Sequence, residues 1–393
     1  MAVEKKILIN LNEDEREDFS TISSVFIDHQ KLYYQENGLQ LRDELFNINS
    51  PFMMNSEKRD NQKRSTYWES LSDDERKIVD KVMQSDEIKC GEIPTVNKDN
   101  NSSARRLASK VHNITSGIAS LQDGLIRSNT FNKPTIFSHV FQEYLIPAMS
   151  SFYIGDAREG LNKVLSNMLK HRDNLKFEEN FLIIIDPPWD CNKSVKRKKN
   201  YSTQSYVEII EVCQTLAKLM SQIEATEYDH NNRKIRFFVH IWCTEKTKSF
   251  VLDKMLPCLG VKYLSSLLWH KVTRYGESVK LRGSKEYLIV ASSQEDKSDM
   301  QLTRLIVSIP SSIHSHKPPL ISNLIGTGDT SSTSEIISSS SSSFWNTCSP
   351  LTHDEYPECL RGIEIYSRYL RSGFISIGLE CIRLQCKDLF TSV

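Results

Sequence analysis

Short, unbroken apolar runs organise the second half of the chain. Phe181-Leu182-Ile183-Ile184-Ile185 runs directly into Asp186-Pro187-Pro188, and Phe237–Trp242, Tyr287–Ala291 and Leu305–Ile309 repeat the pattern. Runs of this length, bounded by polar residues, read as strands buried on both faces, as in a parallel sheet. Tyr206–Met220 and Lys246–Leu256 have helical spacing, one between the first two runs and one after the second. Strands alternating with helices predict an open, doubly wound α/β sheet.

The rest of the chain divides around this pattern. Residues 1–140 read as a polar, partly helical N-terminal region. In it, 51–75 and 91–104 look like linkers or loops, and Glu75–Met83 between them has helical spacing. The main domain is expected over 141–393. It is interrupted at about 323–358, where nine of the residues from Ser331 to Ser343 are serine. Such a stretch buries too little apolar surface to offset its ordering entropy, so it reads as a disordered surface insertion without a catalytic role.

Composition narrows the function. Lys+Arg and Asp+Glu both number 50, so a tail-driven or histone-like grip on nucleic acid is excluded and any phosphate contact must be local. A local basic patch exists at Lys193, Lys196, Arg197, Lys198 and Lys199. The nine cysteines contain no CxxC and no finger spacing, which suits reduced thiols and argues against a structural metal. The N-terminus turns acidic before any apolar run of signal length, and no stretch approaches the ~18 apolar residues of a membrane span. No G-x-G-x-x-G stands between a strand and a helix, so a pyrophosphate cofactor loses support.

The tetrapeptide Asp186-Pro187-Pro188-Trp189 carries the chemistry. The exocyclic amine of adenine is a poor nucleophile because its lone pair is delocalised into the ring. A carboxylate and a main-chain carbonyl at the end of a strand can accept both of its N–H hydrogens and aim the nitrogen at an electrophilic methyl. The prolines fix φ and lack N–H groups, which leaves the carbonyls around them facing a substrate. Trp189 offers a flat surface for a base, worth ~1–3 kcal/mol in single-stranded binding. The bland alternative is a turn after a strand.

These residues resemble the DPPW-type (MT-A70-like) adenine-N6 methyltransferase superfamily, and within it the methyltransferase-like protein four branch. Asn192-Lys193-Ser194-Val195-Lys196-Arg197 followed by Tyr201-Ser202 is similar to that branch's NKSVKR-x-x-x-YS signature. Trp269-His270-Lys271-Val272-Thr273 is similar to its W-V-K-I-T segment, and Ile313-His314-Ser315-His316-Lys317-Pro318-Pro319-Leu320 to its LHSHKPPL block. The likeness covers about residues 144–390.

The resemblance implies a Rossmann-like fold, S-adenosyl-L-methionine as cofactor, and a cofactor site of Asp156, Ala157, Asp186, Lys285, His316, Glu364, Arg368 and Glu380. Asp156 would contact adenine and Lys285 the methionine carboxylate. Glu364 would bind the ribose with Arg368 as its partner, while His316 and Lys317 would line the pocket. Asn192, Lys193, Ser194, Lys196, Arg197, Tyr201, Trp269 and Lys271 would form the substrate surface. Three departures bear on the cofactor: Tyr369 and Leu379 each stand where the family has Asn, and Ser372-Gly373-Phe374 replaces its Pro-x-Trp. Leucine at a ribose contact costs ~1–3 kcal/mol where a hydroxyl is left unpaired, unless a neighbour such as Glu380 compensates.

The implied substrates are 2′-O-methyladenosine in small nuclear RNA and adenine in DNA, single-stranded or flipped out of a duplex. The basic patch beside the turn reads as a phosphate grip, with an import signal or a solvated loop as alternatives. His314 and His316 read as pocket lining, because no metal partner sits at ligand spacing. The expected protein is a nuclear enzyme, with cytoplasm as a second compartment, and a monomer. A weakened pseudo-methyltransferase that serves as a nucleic-acid scaffold is the alternative, motivated by Tyr369 and Leu379.

Overall fold

The computed structural model describes residues 7–8, 23–48, 73, 122–139, 142–170, 176–189, 203–231, 234–273, 285–294, 303–313, 316–319, 351–353, 356–357 and 359–391. The strands are β1 (Ile7–Leu8), β2 (Ser23–Ile27), β3 (Ile126–Asn129), β4 (Thr135–His139), β5 (Gln142–Ile146), β6 (Ser150–Tyr153) and β7 (Lys176–Ile185). They continue as β8 (Arg236–Thr244), β9 (Lys262–Lys271), β10 (Glu286–Ser292), β11 (Thr303–Ser308), β12 (Thr352–His353), β13 (Cys359–Ile365) and β14 (Phe374–Ile377). The helices are α1 (His29–Asn37), α2 (Ala157–Lys170), α3 (Tyr206–Asn231), α4 (Glu245–Phe250) and α5 (Leu256–Leu259), the last two joined by a π turn at Val251–Met255.

One sheet of 12 strands runs in the order β1-β2-β11-β9-β10-β8-β7-β13-β14-β6-β3-β12, and β4-β5 form a separate hairpin. Strands β6, β14, β13, β7 and β8 are successively parallel. β10 is inserted antiparallel between β8 and β9, after which β9, β11 and β2 regain the common direction. The mostly parallel α/β sheet expected from the apolar runs is therefore present.

Alternation within β7 shows how the sheet is covered. Ile183 and Ile185 join Leu161, Val164, Leu216 and Val251 on the face that carries α2, α3 and the α4–α5 segment. Leu182 and Ile184 join Ile27, Trp242, Trp269 and Ile306 on the opposite face. α2 can lie close to the sheet because residue 160 is glycine: a Cβ there would stand 2.6 Å from Ile377. β13 meets β7 closely for the same reason, since a Cβ on Gly362 would stand 2.2 Å from the Leu182 carbonyl oxygen.

Two expectations change. The division at residue 140 does not follow the sheet: β2 pairs with β11, β3 pairs with β6, and α1 supplies Tyr33 to a core with Tyr369 and Phe390. β2 and β3 escaped notice because SSVFI and IRSN are short, half-polar runs. The expected insertion also ends too late at 358, because Thr352–His353 pairs with β3. Glu75–Met83, most of the Ser-rich stretch, and the basic patch from Lys193 to Lys199 lie outside the described residues.

Candidate active site

The parallel strands bring their carboxyl ends to one edge, where open α/β sheets bind ligands. Asp186 follows β7, Asp156 follows β6, Arg368 follows β13 and Glu380 follows β14. Because β10 is reversed, Lys285 and Glu286 reach this same edge from the start of a strand, and the Lys285 carbonyl accepts the Glu245 N–H at 3.3 Å. β7 and β13 are the neighbours at which the sheet order changes direction, and the Asp186 N–H bonds the Ile365 carbonyl at 3.3 Å. Beyond β13, Tyr366 holds a left-handed φ of 62°, a strained state for an aromatic residue. Its hydroxyl donates to Gln204 Oε1, and the turn delivers Ser367 and Arg368 to the edge.

Asp186 sits in a chain of alternating charges. Lys317 Nζ lies 3.6 Å from Asp186 Oδ1 and donates to Glu286 Oε2 at 2.7 Å, while Lys271 Nζ donates to Glu286 Oε1 at 2.6 Å. Burial pushes the Asp186 carboxyl above its ordinary value, and Lys317 and Arg368 hold it back. Burial opposes the charge on Lys317, but Asp186 and Glu286 outweigh it and raise its pKa. Glu286, also buried, is held well below the usual carboxylate range by Lys271 and Lys317. Aromatic faces line this chain: Lys271 Nζ lies 3.8 Å from the Trp269 ring centre, and Lys317 Nζ 5.2 Å from that of Trp242.

The proline carbonyls are engaged, contrary to the expectation that they face a substrate freely. Pro187 O accepts the Trp189 N–H at 2.9 Å and Pro188 O accepts the Gln204 N–H at 2.9 Å, because the turn closes on itself and is bridged to the start of α3. Each carbonyl keeps a second lone pair, but the Asp186 carboxylate is the principal acceptor. Trp189 is half-buried, with its ring edge-on to Tyr206 and Phe250 at 6.4 and 6.2 Å.

The remaining expected residues separate into those at the edge and those below it. Asp156 Oδ1 caps α2 by accepting the N–H groups of Arg158 and Glu159 at 2.9 and 3.2 Å. Ala157 is buried in the core and not on the site surface, since it opens the packed face of α2. Glu364 pairs with Arg371 at 2.9 Å, not with Arg368; Arg368 instead lies 3.7 Å from Glu380, which also accepts from Arg383 at 2.8 Å. The reason is the turn after β13, which carries Arg371 back under the sheet face where α1 brings Glu36, 2.9 Å from Arg371 Nη1. His316 is buried, with Nδ1 2.9 Å from Ser311 Oγ and its ring against His29, Phe46 and Tyr369. It is a packing group; its neighbour Lys317 faces Asp186. Trp269 is buried with Nε1 donating to Ser308 Oγ at 2.8 Å, so only Lys271 of that pair holds charge near the edge. Asn192, Lys193, Ser194, Lys196, Arg197 and Tyr201 lie outside the described residues.

Sequence reading missed Glu286, Arg371 and Glu36. Glu286 had a signal, a Lys-Glu pair that opens an apolar run; Glu36 had none, because its partner lies at residue 371. The donor set at the edge fits S-adenosylmethionine. A zwitterionic amino-acid head needs a carboxylate and a cation within reach of each other, which Asp186 and Lys317 provide. Asp156 and Glu380 carry carboxylates that would accept from a nucleoside, with the exposed Leu379 beside them. Among the described residues no cluster of His, Cys, Asp and Glu is arranged to hold a metal ion.

Comparison with known proteins agrees with this geometry. The MT-A70 family model matches residues 181–334, which contain β7 with its Asp-Pro-Pro-Trp turn, Glu286 and Lys317. The chain is 27% identical over 270 residues to "N(6)-adenine-specific methyltransferase METTL4" of Homo sapiens, covering 64% of this chain and 46% of that one. The Mus musculus protein of the same name gives the same identity and coverage. Against "DNA N6-methyl methyltransferase" of Caenorhabditis elegans it is 25% identical over 414 positions, covering 93% of this chain and 97% of the other. The chain thus spans about half the length of its mammalian relatives and nearly the whole of the worm protein. The matched segment begins within β7, just before its Asp-Pro-Pro-Trp turn, and the chain is thus similar to the MT-A70 family and, within it, to the METTL4 proteins.

Proposed function

We propose that the protein transfers a methyl group from S-adenosylmethionine to the N6 amine of adenine in nucleic acid. The observation that carries this is Asp186 at the β7 end, beside β13, with Lys317 3.6 Å from its carboxylate. Bound at the edge, the cofactor supplies an electrophilic methyl on a sulfonium. Burial raises the Asp186 carboxyl, and Lys317 and Arg368 oppose that rise and favour its ionised form. Ionised Asp186 accepts the amine N–H groups, holds the nitrogen lone pair toward the methyl and favours release of the extra proton after transfer. Trp189 provides the face that orients the base. An adenine in small nuclear RNA, 2′-O-methylated, or in DNA is the substrate class, and an unpaired adenine avoids the few kcal/mol needed to flip one out of a duplex. The nucleus is the compartment that fits these substrates.

Asp186→Ala tests this directly. It should lower turnover on an adenine-containing single strand by at least about a hundredfold, or ~3 kcal/mol in barrier, with an unchanged melting temperature. Retention of a tenth of wild-type turnover sinks the mechanism. Leu379, exposed where the family has a polar contact, favours a second reading as a nucleic-acid-binding scaffold with weakened cofactor affinity. Calorimetry with S-adenosylmethionine on the wild-type protein separates the two.

A further inference from the structure

We propose that His29, the first residue of α1, is a positioning residue for the catalytic centre: it braces Trp269, whose ring lies under Lys271 and Lys317, and His316, the residue before Lys317. This rests on the reading of Asp186 as the group that accepts the adenine amine. It adds to that reading an element outside the segment that the family model matches. Asp28 caps α1 by accepting the N–H groups of Gln30 and Lys31 at 3.1 Å each, which fixes where His29 stands. From there the imidazole reaches both lysine-bearing segments. Its Nε2 lies 3.2 Å from Ser308 Oγ, and the same oxygen accepts the Trp269 indole N–H at 2.8 Å. Its ring centre lies 6.4 Å from that of Trp269, with planes 25° apart, and 5.7 Å from that of His316, edge-on. Trp269 in turn has Lys271 Nζ 3.8 Å and Lys317 Nζ 5.9 Å from its ring centre.

Packing alone does not ask for a histidine here. His29 is buried against Phe46, Trp269 and His316, and among the described residues its Nδ1 has no hydrogen-bond partner. Phenylalanine would fill the same space without leaving a buried nitrogen unpaired. What phenylalanine cannot supply is the polar contact at Nε2. Indole only donates, so Ser308 Oγ is the acceptor toward Trp269, and its own proton can go to His29 Nε2. With that proton directed at His29, a lone pair of Ser308 is aimed at the indole N–H, which sets the ring plane beneath the two ammonium groups. Burial, together with His316 and Lys271, holds His29 well below the ordinary imidazole value and favours the neutral ring that can accept. An ammonium seated on a fixed aromatic face is confined as a free lysine side chain is not. The brace therefore bears on how Lys317 meets Asp186, although His29 touches neither.

The test is steady-state methyl transfer to a single-stranded DNA with one adenine, with melting temperature and pH profile measured alongside. His29→Leu and Ser308→Ala should each lower kcat about fivefold, the range of one neutral hydrogen bond, with KM for the strand unchanged. The double variant should lose no more than either alone, because both act through the Trp269 ring. His29→Gln, whose amide can reach the place of Nε2, should recover most of the rate. The acid limb of kcat/KM should move to higher pH in both single variants. Asp186 faces Lys317 and Arg368, which oppose the rise of its carboxyl, and Glu286, which adds to it; a displaced Lys317 opposes less. A role in stability alone would lower the melting temperature and leave kcat and the acid limb in place. That result, additive losses, or a His29→Gln no better than His29→Leu overturns the brace. Should His29→Leu fail to fold, Ser308→Ala, which removes only a hydroxyl, carries the same test. A wild type without turnover overturns the methyl-transfer reading itself, whereas a wild type matched by both single variants removes only the brace.

Discussion

Two ionic groups lie within one molecule and behave differently. At the sheet edge, Lys271, Glu286, Lys317 and Asp186 alternate in sign and sum to zero when all are ionised. Beneath α1, Arg371 faces the carboxyls of Glu36 and Glu364, with the Tyr369 hydroxyl also within its reach. That second group shares one directly paired guanidinium between two acids, with Arg361 acting on Glu36 without a direct contact. Burial raises both its acids, Glu36 above the ordinary value and Glu364 to about 6, with Arg371 opposing the rise in each case. A balanced chain can stay charged and be re-paired by a ligand. One in which two acids share a single paired guanidinium has its carboxyls pushed up by burial and clamps α1 to the turn after β13. The difference teaches which charges are chemical and which are structural.

Removing the clamp should have the largest effect. Arg371→Ala leaves buried Glu364 and partly buried Glu36 without their direct partner and should cost about 3–5 kcal/mol, read from the urea midpoint. A loss under ~1 kcal/mol would mean that both acids are already neutral. Next comes the pH dependence of the same group. Glu364 binds its proton more tightly folded than unfolded, so its contribution is present in acid and lost as pH rises from about 4.5 to about 6. The stability difference between wild type and Glu364→Gln should therefore shrink between pH 5 and pH 7, by at most about 2 kcal/mol. A pH-independent difference would show that the carboxyl does not titrate there.

The edge group should respond in catalysis. Glu286→Gln frees Lys317 to pair more fully with Asp186 and removes a negative charge that helps to raise the Asp186 carboxyl. kcat/KM should fall about tenfold, the effect of one charged hydrogen bond. The acid limb of its pH profile should move to lower pH. A fall with an unmoved limb would mean that Glu286 does not act through Asp186. The smallest expected effect lies in the basic patch. Lys196→Ala with Arg197→Ala should weaken single-strand binding several-fold and lower the salt slope by about 1.4, at roughly 0.7 per phosphate. A wild-type slope would leave the import-signal reading in its place.

The contrast between the groups also marks what the chain's sequence makes legible. The four apolar runs are strands because burial on both faces leaves a contiguous record, and Asp186 is readable because its neighbours in sequence are its neighbours in the site. Lys317 is readable through its His-Lys-Pro-Pro block. Arg371, by contrast, takes its meaning from Glu36, and no local pattern records a contact between residues so far apart. Glu364 was legible as an acid at a strand end, but its partner was not, because a turn of eight residues can present either Arg368 or Arg371 to it. The proline carbonyls misled for a related reason: φ is fixed by the ring, but the acceptor's partner is fixed by tertiary closure.

The pairing of β2 with β11 bears on how the protein is made. Ser23 lies opposite Thr303, so β2 finds this partner only after some 280 further residues have been made. α1 likewise waits for Arg371. Until then both remain unsatisfied, and long-range closures of this kind are slow and expose apolar surface during synthesis. A chain halted before residue 303 would have β6 to β10 with α2 and α3 in hand but would lack β11, β13 and β14, which join β2 and β6 to the rest of the sheet. Synthesis of the segment from β11 to β14 is thus the event that seals the sheet.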